Sequence, residues 1–558
     1  MKYVIVGGVA AGAGAAARLR RLDENAEIIL LERGSYISFA NCGLPYHIGG
    51  VIEDRDELLV MPEQKFRSWF HVDVRTGNEV IAIDRAQKNL EIRRTDGSVY
   101  RESYDRLLLA TGSSPLTPDI PGSDDERVLR LWTIPDMDQI NAKIASGAKD
   151  AVVIGGGFIG LEAAENLRER GLNVTIVQHS GHLLPTLDCE MASLLRRELE
   201  LCGIMVKLNS EVTRFRRDKN DFYAELNDGT ELKADLVILS VGVKPNSELA
   251  VSAGLKTGKR GHIAVNANLQ TSDPDIYAAG DAVEVLDPVT GSKTAIPLAG
   301  PANKQGRIAA DNLSGGSSVY KGTFGASVIK VGRLTAATVG WNEAKLMAAS
   351  LPYHKIYTHP ASNAGYYPTS SQMHIKLLFA PDGKIYGAQI VGTSGVDKRI
   401  DTIACAMECG KSALELAELE FAYAPPFNSA KDPVNFLGMI AQNILSGLST
   451  PAYAENLPEN ALILDVREPG ENSRGSMPGA VNIPLGQLRK RLAELDRSRP
   501  VVVCCQVGLR GYLAERILKQ NGFDAFNLSG GYLSWRMIHD QKPDNPCGCL
   551  GLKRRKEN

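Results

Sequence analysis

Residues 151–160, with the sequence AVVIGGGFIG, decide the fold of this chain. An apolar strand runs directly into glycines spaced G-x-G-x-x-G, a helical stretch continues to about Arg170, and a second strand, Asn173–Val177, ends at Gln178. Such glycines let the backbone approach a pyrophosphate, whose charge is attracted to the start of the helix. The stretch predicts a βαβ unit that binds a dinucleotide through Gly155, Gly157, Phe158, Ile159, Gly160 and Gln178.

Gln178 bears on the choice of nicotinamide cofactor. An NAD site usually has an acidic residue at the end of its second strand, where it accepts a hydrogen bond from the ribose. The glutamine found here can still hydrogen-bond a 2′-hydroxyl, and it does not repel a 2′-phosphate. NADH is therefore favoured, while NADPH and mixed use stay open.

The N-terminus repeats the pattern. Residues 2–6 (KYVIV) form an apolar strand that runs into residues 7–12 (GGVAAG), a helix follows to about Leu22, and a strand at 27–31 ends at Glu32. Val9 replaces the middle glycine of the motif. Two such units imply two dinucleotides, a bound flavin and a nicotinamide electron donor. The residues expected to hold the flavin here are Gly7, Val9, Ala10, Ala11, Gly12, Glu32 and Arg33.

Length and composition limit the class of protein. The 558 residues suffice for three or four domains of ~150 residues each. The 63 Lys and Arg residues nearly balance the 65 Asp and Glu residues, which gives no electrostatic case for nucleic acid as the main partner. No apolar run reaches the ~20 residues that span a bilayer, and the N-terminus lacks the pattern of a signal peptide. We expect a cytoplasmic protein that binds neither nucleic acid nor membrane.

Most of the nine cysteines suggest no special chemistry. An odd number of cysteines in a reducing compartment argues against a framework of disulfide bonds. No Cys and His residues have the spacing of a zinc site, so no metal is expected. Four cysteines in apolar helical contexts are predicted to fill the core: Cys189, Cys202, Cys405 and Cys409. Cys547 and Cys549 could bind a metal or resolve a disulfide, but their short basic tail is predicted to be a disordered end.

Two further cysteines stand in settings that favour reactivity. Cys42 lies in residues 38–46 (SFANCGLPY), just after the first βαβ unit and near a predicted helix start. Backbone N–H groups and an adjacent flavin are expected to stabilise its thiolate. Cys505 heads a Cys-x-x-Gly-x-Arg loop at 505–510 (CQVGLR). The two sites predict sulfur chemistry that passes between domains.

Three short runs complete the pattern of the first 445 residues: 107–112 (LLLATG), 236–242 (LVILSVG) and 271–281 (TSDPDIYAAGD). Together with the two glycine motifs, and in this order, they resemble the two-dinucleotide flavoprotein disulfide reductases. The resemblance implies an α/β fold with two Rossmann-like domains, for FAD and NAD(P), and an α+β dimerisation domain. In that family the terminal aspartate of the last run holds the ribityl chain of the flavin. The resemblance adds Asn41, Thr111, Gly112, Glu162, Gly280 and Asp281 to the cofactor-binding residues.

The last hundred residues have a compact α/β pattern. The strand-like stretches 462–468 (LILDVRE), 479–485 (GAVNIPL) and 501–504 (VVVC), the loop 505–510 and a turn at 527–532 (NLSGGY) together resemble a rhodanese domain. That family's loop is a cradle of backbone N–H groups that stabilises thiolate or persulfide sulfur. The resemblance implies that Cys505 accepts sulfane sulfur; an inactive interaction module is the alternative. The loop residues are Gln506, Val507, Gly508, Leu509 and Arg510.

These patterns predict six parts of the chain. They are an FAD-binding domain at 1–112 and 243–322, an NAD(P)-binding domain at 113–242, a dimerisation domain at 323–445, a linker at 446–458, a rhodanese domain at 459–545 and a tail at 546–558. Asp465 and Arg467 match the rhodanese pattern and are expected to support the fold.

Cys42 has no second cysteine nearby. Disulfide reductases of the glutathione type use two cysteines spaced C-x4-C, and His47 stands where the second would be. Cys42 must therefore hold its oxidised state alone, as a sulfenic acid or as a mixed disulfide with a small thiol. The single-cysteine branch includes coenzyme A disulfide reductases, NADH peroxidases and NADH oxidases. The peroxidases carry a histidine in the first glycine loop where this chain has Ala10, which weakens that interpretation.

Several positions match the coenzyme A branch. Arg18 and Arg21 lie three apart on one face of the first helix, where guanidinium groups could meet phosphates, although a solvated helix face is the alternative. The runs 366–368 (YYP) and 423–431 (YAPPFNSAK) resemble those that the other subunit of a dimer supplies. The resemblance implies that Tyr367 and Tyr423 donate to the leaving sulfur, with interface packing as the alternative for Tyr366 and Tyr367. The implied coenzyme A site consists of Arg18, Arg21, Ser38, Asn41, Asn303, Tyr366 and Lys431.

The sequence therefore predicts an FAD-dependent homodimer with an active site shared between subunits. It would use NAD(P)H to reduce coenzyme A disulfide, coenzyme A persulfide or polysulfide through Cys42, while Cys505 handles sulfane sulfur. Two alternatives stay open. An NADH oxidase or peroxidase would use Cys42 as a sulfenic acid, which Ala10 and the rhodanese pattern argue against. A non-catalytic sulfur carrier or redox sensor would not need two dinucleotide units.

Overall fold

The computed structural model describes residues 1–539 of the chain. The predicted tail at 546–558, with Cys547 and Cys549, lies outside the described residues. The chain forms two compact units: one contains Met1–Val177 and Val212–Gly325, and the other contains Gln178–Glu211 and the residues from Ala326 onward. Among the described residues, no helix has both the length and the apolar character needed to cross a membrane.

A five-stranded parallel sheet forms the centre of the first unit. Its strands follow the order Ile276–Ala278, Arg106–Leu109, Lys2–Val6, Glu27–Glu32 and Asp73–Thr76. The strand Lys2–Val6 is almost entirely buried, as a parallel strand covered on both faces must be, and the helix Ala10–Leu22 buries its alanines in the same core. The predicted strand at 2–6, the helix to Leu22 and the strand ending at Glu32 are confirmed.

A second parallel sheet carries the stretch at 151–160. Within the first unit its strands follow the order Asn173–Val177, Asp150–Ile154, Leu236–Leu239 and Val128–Arg130. The helix Phe158–Glu169 connects the first two, so the glycine motif lies at a strand–helix junction, as predicted. Parallel strands joined by helical crossovers confirm the α/β class.

Smaller elements complete the first unit, which has separate hydrophobic cores against its two parallel sheets. Its remaining strands are Asn78–Asp84, Asn89–Arg94, Val99–Ser103, Ser113–Pro115, Val212–Asp218, Asp221–Leu226, Glu231–Lys233, Val243–Pro245, Ile263–Ala264, Val283–Leu286 and Lys293–Thr294. Its remaining α-helices are Leu44–Ile48, Glu63–Phe70, Ile134–Ala145, Glu248–Ser252 and Ala299–Leu313.

An antiparallel five-stranded sheet forms one part of the second unit. Its strands follow the order Ser327–Val331, Leu334–Gly340, Ile385–Gly392, Met373–Phe379 and His354–Thr358. Other elements in this part are the helices Cys189–Leu201, Glu343–Ala348, Val396–Glu408 and Pro433–Leu445 and the strand Met205–Lys207. The five strands all lie within residues 323–445, the range predicted for the dimerisation domain.

A buried charge cluster lies in this part of the second unit. Lys376 is fully buried, and its Nζ lies 2.7, 2.6 and 2.7 Å from carboxylate oxygens of Asp188, Glu190 and Glu343. Burial alone would raise the pKa of Glu343, but Lys376 and Lys355 hold it at about 2. The three carboxylates are close enough to share a cation, and the lysine ammonium supplies that positive charge.

A second, parallel sheet forms the other part of the second unit. Its strands follow the order Pro451–Ala452, Ala525–Leu528, Val501–Cys504, Leu462–Asp465 and Val481–Asn482. Its α-helices are Pro469–Asn472, Leu485–Leu488, Leu509–Gln520 and Gly531–His539. The strands predicted at 462–468 and 501–504 are present, and Cys504 is buried at the end of the second.

The first strand of this sheet lies inside the segment predicted as a linker. Pro451–Ala452 pairs with Ala525–Leu528. Just before it, the hydroxyl of Ser449 and the N–H of Thr450 donate to the carboxylate of Glu515, which is fully buried. Residues 449–452 are therefore tied to the last sheet.

Three of the four cysteines predicted to fill the core are exposed, namely Cys202, Cys405 and Cys409, so that prediction is wrong for them. Cys202 and Cys409 are the residues at which the helices Cys189–Leu201 and Val396–Glu408 end. At its last residue a helix ends and the chain turns towards solvent. The apolar pattern of the sequence did not show where these two helices end.

Candidate active sites

The first glycine loop is held by contacts that only glycine permits. Gly7 has a φ of +102°, and a Cβ on it would lie 2.1 Å from the carbonyl oxygen of Ala110. A Cβ on Gly12 would lie 1.8 Å from the carbonyl oxygen of Gly7. The helix Ala10–Leu22 begins without a side-chain cap, which leaves its first N–H groups for a ligand. This loop fits the pyrophosphate of FAD.

Glu32 stabilises the same loop through a hydrogen bond. Its Oε2 accepts a hydrogen bond from the N–H of Gly8 at 2.8 Å, and its Oε1 accepts one from the N–H of Gly34 at 2.7 Å. The carboxylate keeps lone pairs for a ribose hydroxyl. Arg33 is exposed, and its Nη2 lies 3.3 Å from the Oγ of Ser114. The roles of Glu32 and Arg33 in flavin binding stay predictions.

The second glycine loop has the same construction. Gly155 has a φ of +104°, and a Cβ on it would lie 2.3 Å from the carbonyl oxygen of Ser240. A Cβ on Gly160 would lie 1.9 Å from the carbonyl oxygen of Gly155. The space beside Gly157 is open, and the helix that follows begins without a side-chain cap. Close packing requires glycine at positions 155 and 160. The open space beside Gly157 leaves room for the phosphates of NAD(P)H.

Gln178, in the second unit, is buried and engaged within its own segment. Its Nε2 donates to the Oγ of Ser180 at 2.6 Å. A ribose hydroxyl would have to share or replace this bond. The assignment of Gln178 to the nicotinamide cofactor therefore stays a prediction.

Asp281 faces a cavity of about 350 Å³ that Ser113, Arg260 and His262 also line. The Oγ of Ser113 donates to Oδ2 of Asp281 at 2.9 Å, and burial raises the pKa of this aspartate. A carboxylate that faces such a cavity fits an acceptor for the hydroxyls of a ribityl chain.

The turns on either side of this cavity hold the other predicted flavin residues. The Oγ1 of Thr111 donates to the carbonyl oxygen of Asn246 at 2.6 Å. Gly112 and Gly280 have φ values of +64° and +85°, which lie in the region that favours glycine. The roles of Thr111, Gly112 and Gly280 in flavin binding stay predictions.

Cys42 is exposed on the turn Asn41–Gly43, which leads directly into the short helix Leu44–Ile48. His47 lies on that helix, and its Nδ1 is 2.8 Å from the carbonyl oxygen of Ile52. The chain thus presents one accessible thiol here.

The chain's own groups favour the protonated form of Cys42. Burial raises the pKa of the thiol, and the carboxylates of Glu162 and Asp281 raise it further. The N–H groups of Gly43 and Leu44 donate within the turn, to Ala40 and Asn41, so they are engaged before any thiolate forms. These two N–H groups are therefore engaged within the turn, and the expected stabilisation of the thiolate by backbone N–H groups and the flavin stays a prediction.

Glu162 is half-buried near this thiol. The hydroxyl of Tyr46 donates to its Oε1 at 3.3 Å. Burial raises the pKa of Glu162 to about 7, against the effect of the Tyr46 hydrogen bond and with a further contribution from Glu165. The carboxyl group therefore changes its protonation state near neutral pH.

Two predicted phosphate ligands differ in their surroundings. The Nε of Arg18 lies 2.7 Å from Oδ1 of Asp311, so part of its charge is neutralised. Arg21 is exposed, and its Nε donates only to the carbonyl oxygen of Ala17, one turn earlier. Arg21 is the more available of the two for an anionic ligand.

Three polar residues of the predicted coenzyme A site also belong to the first unit. Ser38 has a φ of +46°, and its N–H donates to the carbonyl oxygen of Gly8 at 2.8 Å. Asn303 is exposed, with its Oδ1 3.6 Å from the position of a Cβ on Gly14. The Nδ2 of Asn41 lies 3.4 Å from the carbonyl oxygen of Trp132. The structure thus brings Ser38 to the glycine loop and Asn303 to the helix that carries Arg18.

In the second unit, Tyr366 and Tyr423 form an exposed pair. Their hydroxyl groups lie 3.0 Å apart, and their side chains are 76% and 48% exposed. Tyr367, which the sequence favoured over Tyr366, is half-buried, and its N–H donates to the carbonyl oxygen of Ala364. Lys431 is exposed on the segment that carries Tyr423. The structure thus joins Tyr423 to Tyr366.

Arg399 holds the two tyrosine segments together. Its side chain is 2% exposed, and its Nη2 donates to the carbonyl oxygen of Ser362 at 2.8 Å and to Oδ1 of Asn428 at 3.0 Å. The same nitrogen lies 3.1 Å from a carboxylate oxygen of Asp432. Arg399 therefore contacts both loops that present tyrosines, around Tyr366 and around Tyr423.

Cys505 lies in a buried loop that matches the predicted cradle. Its side chain is 1% exposed, and the N–H of Gly508 donates to its Sγ at 3.1 Å. Gly508 has a φ of +100°. A Cβ on Gly531 would lie 2.3 Å from the carbonyl oxygen of Cys505, and the N–H of Tyr532 donates to that same oxygen. Two glycines thus shape the loop around the sulfur.

Arginines support this loop from outside. Arg510 makes a bidentate contact with Glu471, at 2.6 and 2.7 Å, which lowers the pKa of Glu471 to about 2. Arg467 pairs with Asp465 at 2.6 Å, and its Nη1 donates to Oε1 of Gln506 at 3.2 Å. The supporting role expected for Asp465 and Arg467 agrees with these contacts. Val507 is half-buried, while Leu509 is 61% exposed at the start of the helix.

Sequence reasoning missed Tyr46, Arg399 and Glu471. Tyr46 follows Cys42 by four residues, on the short helix that begins after the Cys42 turn, and this closeness was visible in the sequence. Arg399 and Glu471 gave no local signal, because their partners Asn428 and Arg510 lie 29 and 39 residues away.

Three protein-family descriptions match the chain. Pyridine nucleotide-disulphide oxidoreductase matches residues 1–306, the dimerisation domain of the same family matches residues 327–433, and the rhodanese-like domain matches residues 450–538. Together these matches extend over most of the described residues.

Two relatives match most of the chain in sequence. The chain is 36% identical over 451 residues to a protein of Methanocaldococcus jannaschii named NADH oxidase, covering 80% of this chain and 100% of the relative. It is 36% identical over 445 residues to the coenzyme A disulfide reductase of Staphylococcus epidermidis, covering 79% of this chain and 100% of the relative.

Two solved structures match the full architecture. Reduced Bacillus anthracis CoADR-RHD is 45% identical, with a TM-score of 0.94 over 96% of this chain and 98% of that one. A NAD-dependent persulfide reductase from A. fulgidus is 39% identical, with a TM-score of 0.91 over 96% of this chain and 100% of that one. The chain therefore belongs to the pyridine nucleotide-disulphide oxidoreductase family, whose members use FAD and NAD(P)H, and it also carries a dimerisation domain and a rhodanese-like domain.

Proposed function

We propose that this chain is an FAD-dependent enzyme that uses NAD(P)H to reduce coenzyme A disulfide or coenzyme A persulfide through Cys42. The observation that carries the proposal is the lone exposed Cys42, with His47 where a second cysteine would be. Such a cysteine must form its mixed disulfide with the substrate itself. The relatives named coenzyme A disulfide reductase and persulfide reductase support the choice of substrate.

The thiolate of Cys42 attacks one sulfur of the substrate. A new S–S bond forms to Cys42, the substrate S–S bond breaks, and the leaving sulfur departs with its electron pair. When bound, FAD and NAD(P)H supply the electron pair that cleaves the mixed disulfide and returns Cys42 to the thiolate. A hydroxyl group that donates to the leaving sulfur lowers the barrier for this step.

The tyrosine pair of the second unit is suited to that donation. Tyr366 and Tyr423 already share a hydrogen bond, so each hydroxyl group is oriented by the other. We assign the donor role to this pair ahead of Tyr367. The dimerisation-domain match at 327–433 includes both tyrosines and Lys431. We therefore propose a homodimer in which these residues complete the site around Cys42 of the other subunit.

Cationic and polar residues of the first unit would bind the nucleotide part of coenzyme A. Arg21 is exposed, and Arg18 lies one turn before it on the same helix. Guanidinium groups bind phosphate oxygens with charge-assisted hydrogen bonds. The proposed site consists of Arg18, Arg21, Ser38, Asn41, Asn303 and Lys431.

Cys505 would accept or deliver sulfane sulfur in the same metabolism. The N–H of Gly508, 3.1 Å from the Sγ, can stabilise an anionic sulfur there. We place the enzyme in the cytoplasm, since two working thiols need a reducing compartment.

An NADH oxidase that forms a sulfenic acid at Cys42 is the second candidate, because a relative carries that name. Two features argue against this candidate. Ala10 provides no acid–base group in the first glycine loop, and the reduction of oxygen does not require a sulfur-binding loop such as that at Cys505. A non-catalytic carrier or sensor does not agree with membership in an oxidoreductase family.

The test is NAD(P)H consumption without oxygen, measured separately with coenzyme A disulfide, coenzyme A persulfide and peroxide. We expect the wild type to turn over the coenzyme A substrates and Cys42→Ser to lose that activity. Cys505→Ser should keep disulfide reduction and lose the transfer of sulfane sulfur. Full persulfide turnover by Cys42→Ser, or turnover with peroxide alone, would contradict the proposal.

A further inference from the structure

The first turn of the helix Gly531–His539 is hydrogen-bonded to the loop that carries Cys505. The N–H of Tyr532 donates to the carbonyl oxygen of Cys505 at 2.7 Å. The N–H of Leu533 donates to the carbonyl oxygen of Gln506 at 3.2 Å. The position of this helix start therefore determines the shape of the loop around the sulfur.

Two glycines at the same helix start lie beside the N–H group that contacts the Cys505 sulfur. That group belongs to Gly508, and it donates to Sγ of Cys505 at 3.1 Å. A Cβ on Gly531 would lie 2.9 Å from the nitrogen of Gly508, and a Cβ on Gly508 would lie 3.4 Å from the nitrogen of Gly530. A shift of Gly530 or Gly531 would therefore move the donor that faces the sulfur.

His359 contacts this helix start from the dimerisation-domain match at 327–433. Its side chain is buried, and its Nε2 lies 2.9 Å from the Oγ of Ser534. A Cβ on Gly530, which has a φ of +70°, would lie 2.9 Å from this Nε2 and 2.0 Å from the Oγ of Ser534. Position 530 therefore requires glycine, because His359 and Ser534 occupy the space beside it.

A second histidine fixes the ring of His359 at its other nitrogen. The Nδ1 atoms of His359 and His374 lie 2.9 Å apart, and the two rings pack edge to face with their centroids 4.9 Å apart. Burial lowers the pKa of both groups, that of His374 to about 4, so both rings are neutral at neutral pH. One Nδ1 then donates to the other. The orientation of His359 is therefore fixed within its own domain, and the ring can hold Ser534 in place.

We propose that His359 is a positioning residue for sulfur transfer at Cys505. By holding Ser534 and Gly530, it keeps the helix start where the N–H of Gly508 faces the sulfur. The Cys505 site is thus completed by a residue outside the rhodanese-like domain. This inference rests on the proposed function and deepens it, because it names a residue on which the sulfane-sulfur step depends.

The transfer that depends on this arrangement moves one sulfur atom. The thiolate of Cys505 attacks the outer sulfur of a persulfide, an S–S bond forms to Cys505, and the S–S bond of the donor breaks. The donor leaves as a thiolate with the electron pair of that bond, and the transferred sulfur keeps its proton. The attacking thiolate is an anion that the N–H of Gly508 stabilises, so the placement of this group affects the rate.

The test compares His359→Leu, Ser534→Ala and His359→Gln in the full-length holoenzyme. Coenzyme A persulfide is added without NAD(P)H, and mass spectrometry follows the formation of the persulfide on Cys505. His359→Leu and Ser534→Ala should each lower the maximal rate on the order of 10²-fold, because the N–H donor is misplaced. The donor concentration that gives half the maximal rate should not change, since both substitutions act on the loop and not on the donor. His359→Gln should recover most of the rate, because its amide can hydrogen-bond Ser534.

Rescue by glutamine separates positioning from simple packing. If His359 only filled space, His359→Leu would form the persulfide as fast as His359→Gln does, and the proposal would be disproved. The double variant with Ser534→Ala should be no slower than either single variant, since the two residues act through one hydrogen bond. His354→Leu is the matched control. His354 lies on the strand that leads to His359 and packs against Phe379, so this variant should keep the wild-type rate.

Two further measurements keep the outcomes distinct. The urea midpoint of each variant is determined first, and Ser534→Ala, which removes only a hydroxyl group, provides the test if His359→Leu does not fold. Anaerobic reduction of coenzyme A disulfide should keep its wild-type rate, and an equal loss of both activities would overturn the proposal. Wild-type persulfide formation in Ser534→Ala and His359→Leu would overturn this inference alone. Absence of the persulfide in the wild type would instead overturn the role of Cys505 in the proposed function.

Discussion

The hydroxyl groups of Tyr366 and Tyr423 lie 3.0 Å apart although 57 positions separate the two residues in the sequence. Both side chains are exposed, so water competes for this hydrogen bond, and its persistence depends on the loops beneath it. Those loops meet at Arg399, which contacts Ser362 on one side and Asn428 on the other. A buried guanidinium group thus determines the placement of an exposed pair of phenols.

The tyrosine pair should act as one donor. We expect Tyr366→Phe and Tyr423→Phe each to lower turnover of coenzyme A disulfide on the order of 10²-fold, because each change removes the shared hydrogen bond and leaves the other phenol unoriented. The double variant should be close to the single ones. Steady-state kinetics check this, with Tyr512→Phe in the rhodanese-like domain as a control that keeps wild-type rates. Multiplicative losses in the double variant would show that the tyrosines act separately.

Removal of Arg399 should affect both stability and substrate binding. Arg399→Met leaves the carboxylate of Asp432 buried without its ion-pair partner, so we expect a loss of about 3–5 kcal/mol in the free energy of unfolding. The two tyrosine loops should also separate, which raises KM for coenzyme A disulfide. Urea unfolding and steady-state kinetics measure the two effects. Lys398→Met, at the adjacent exposed position, is the matched control and should change neither.

Lys376 should be essential for the stability of the second unit. Lys376→Met leaves Asp188, Glu190 and Glu343 buried without their shared cation, and we expect a loss of about 3–5 kcal/mol or more. The urea midpoint followed by circular dichroism measures it. Lys490→Met removes an exposed lysine and should leave the midpoint unchanged. An equal midpoint in both variants would mean that the cluster contributes no net stability.

The same cluster predicts how stability depends on pH. The pKa of Glu343 is about 2 in the folded protein and 4.5 for an ordinary glutamate, so the folded state binds fewer protons in this range. Its stabilising contribution is present above pH 4.5 and is lost as the pH falls towards 2. In Lys376→Met, Glu343 keeps Lys355 and loses Lys376, so its pKa should be lowered less, and less stability should be lost as the pH falls from 4.5 towards 2. Unfolding curves at several pH values distinguish the two slopes.

Gly531 should be necessary for the loop around Cys505. In Gly531→Ala the new methyl group would lie 2.3 Å from the carbonyl oxygen of Cys505, at a φ of +64° that disfavours alanine. We expect loss of sulfane-sulfur transfer at Cys505, with coenzyme A disulfide reduction retained. Gly486→Ala is the control, because Gly486 has open space around it in the same domain. Mass spectrometry of the persulfide on Cys505 is the readout, and normal loading of Gly531→Ala would contradict the prediction.

Local patterns predicted the architecture well. The glycine motifs placed the two parallel sheets of the first unit and their helices, since a Cβ at a position such as Gly7 would collide with the carbonyl oxygen of Ala110. The settings of Cys42 and Cys505 were also visible, because each is defined by fewer than ten consecutive residues. Their chemical roles stay predictions for the experiments described above.

Contacts between distant segments could not be predicted in the same way. The partners of Lys376 come from positions as far away as Asp188, and Arg399 joins loops that have no shared pattern in the sequence. The surroundings of the Cys42 thiol could not be predicted for a related reason. Which N–H groups are available, and how far Glu162 is buried, depend on how the turn and two helices pack.

The strand Pro451–Ala452 determines where the C-terminal domain must begin if it is produced separately or moved to another protein. A fragment that started at residue 459, the predicted beginning of the rhodanese domain, would lack an edge strand of its sheet. It would also remove the two donors Ser449 and Thr450 from the buried carboxylate of Glu515, which would keep its ion pair with Lys519. A functional transplant of this domain into another protein must therefore begin before Ser449, and gene fusions that shorten this junction would lose part of the module itself.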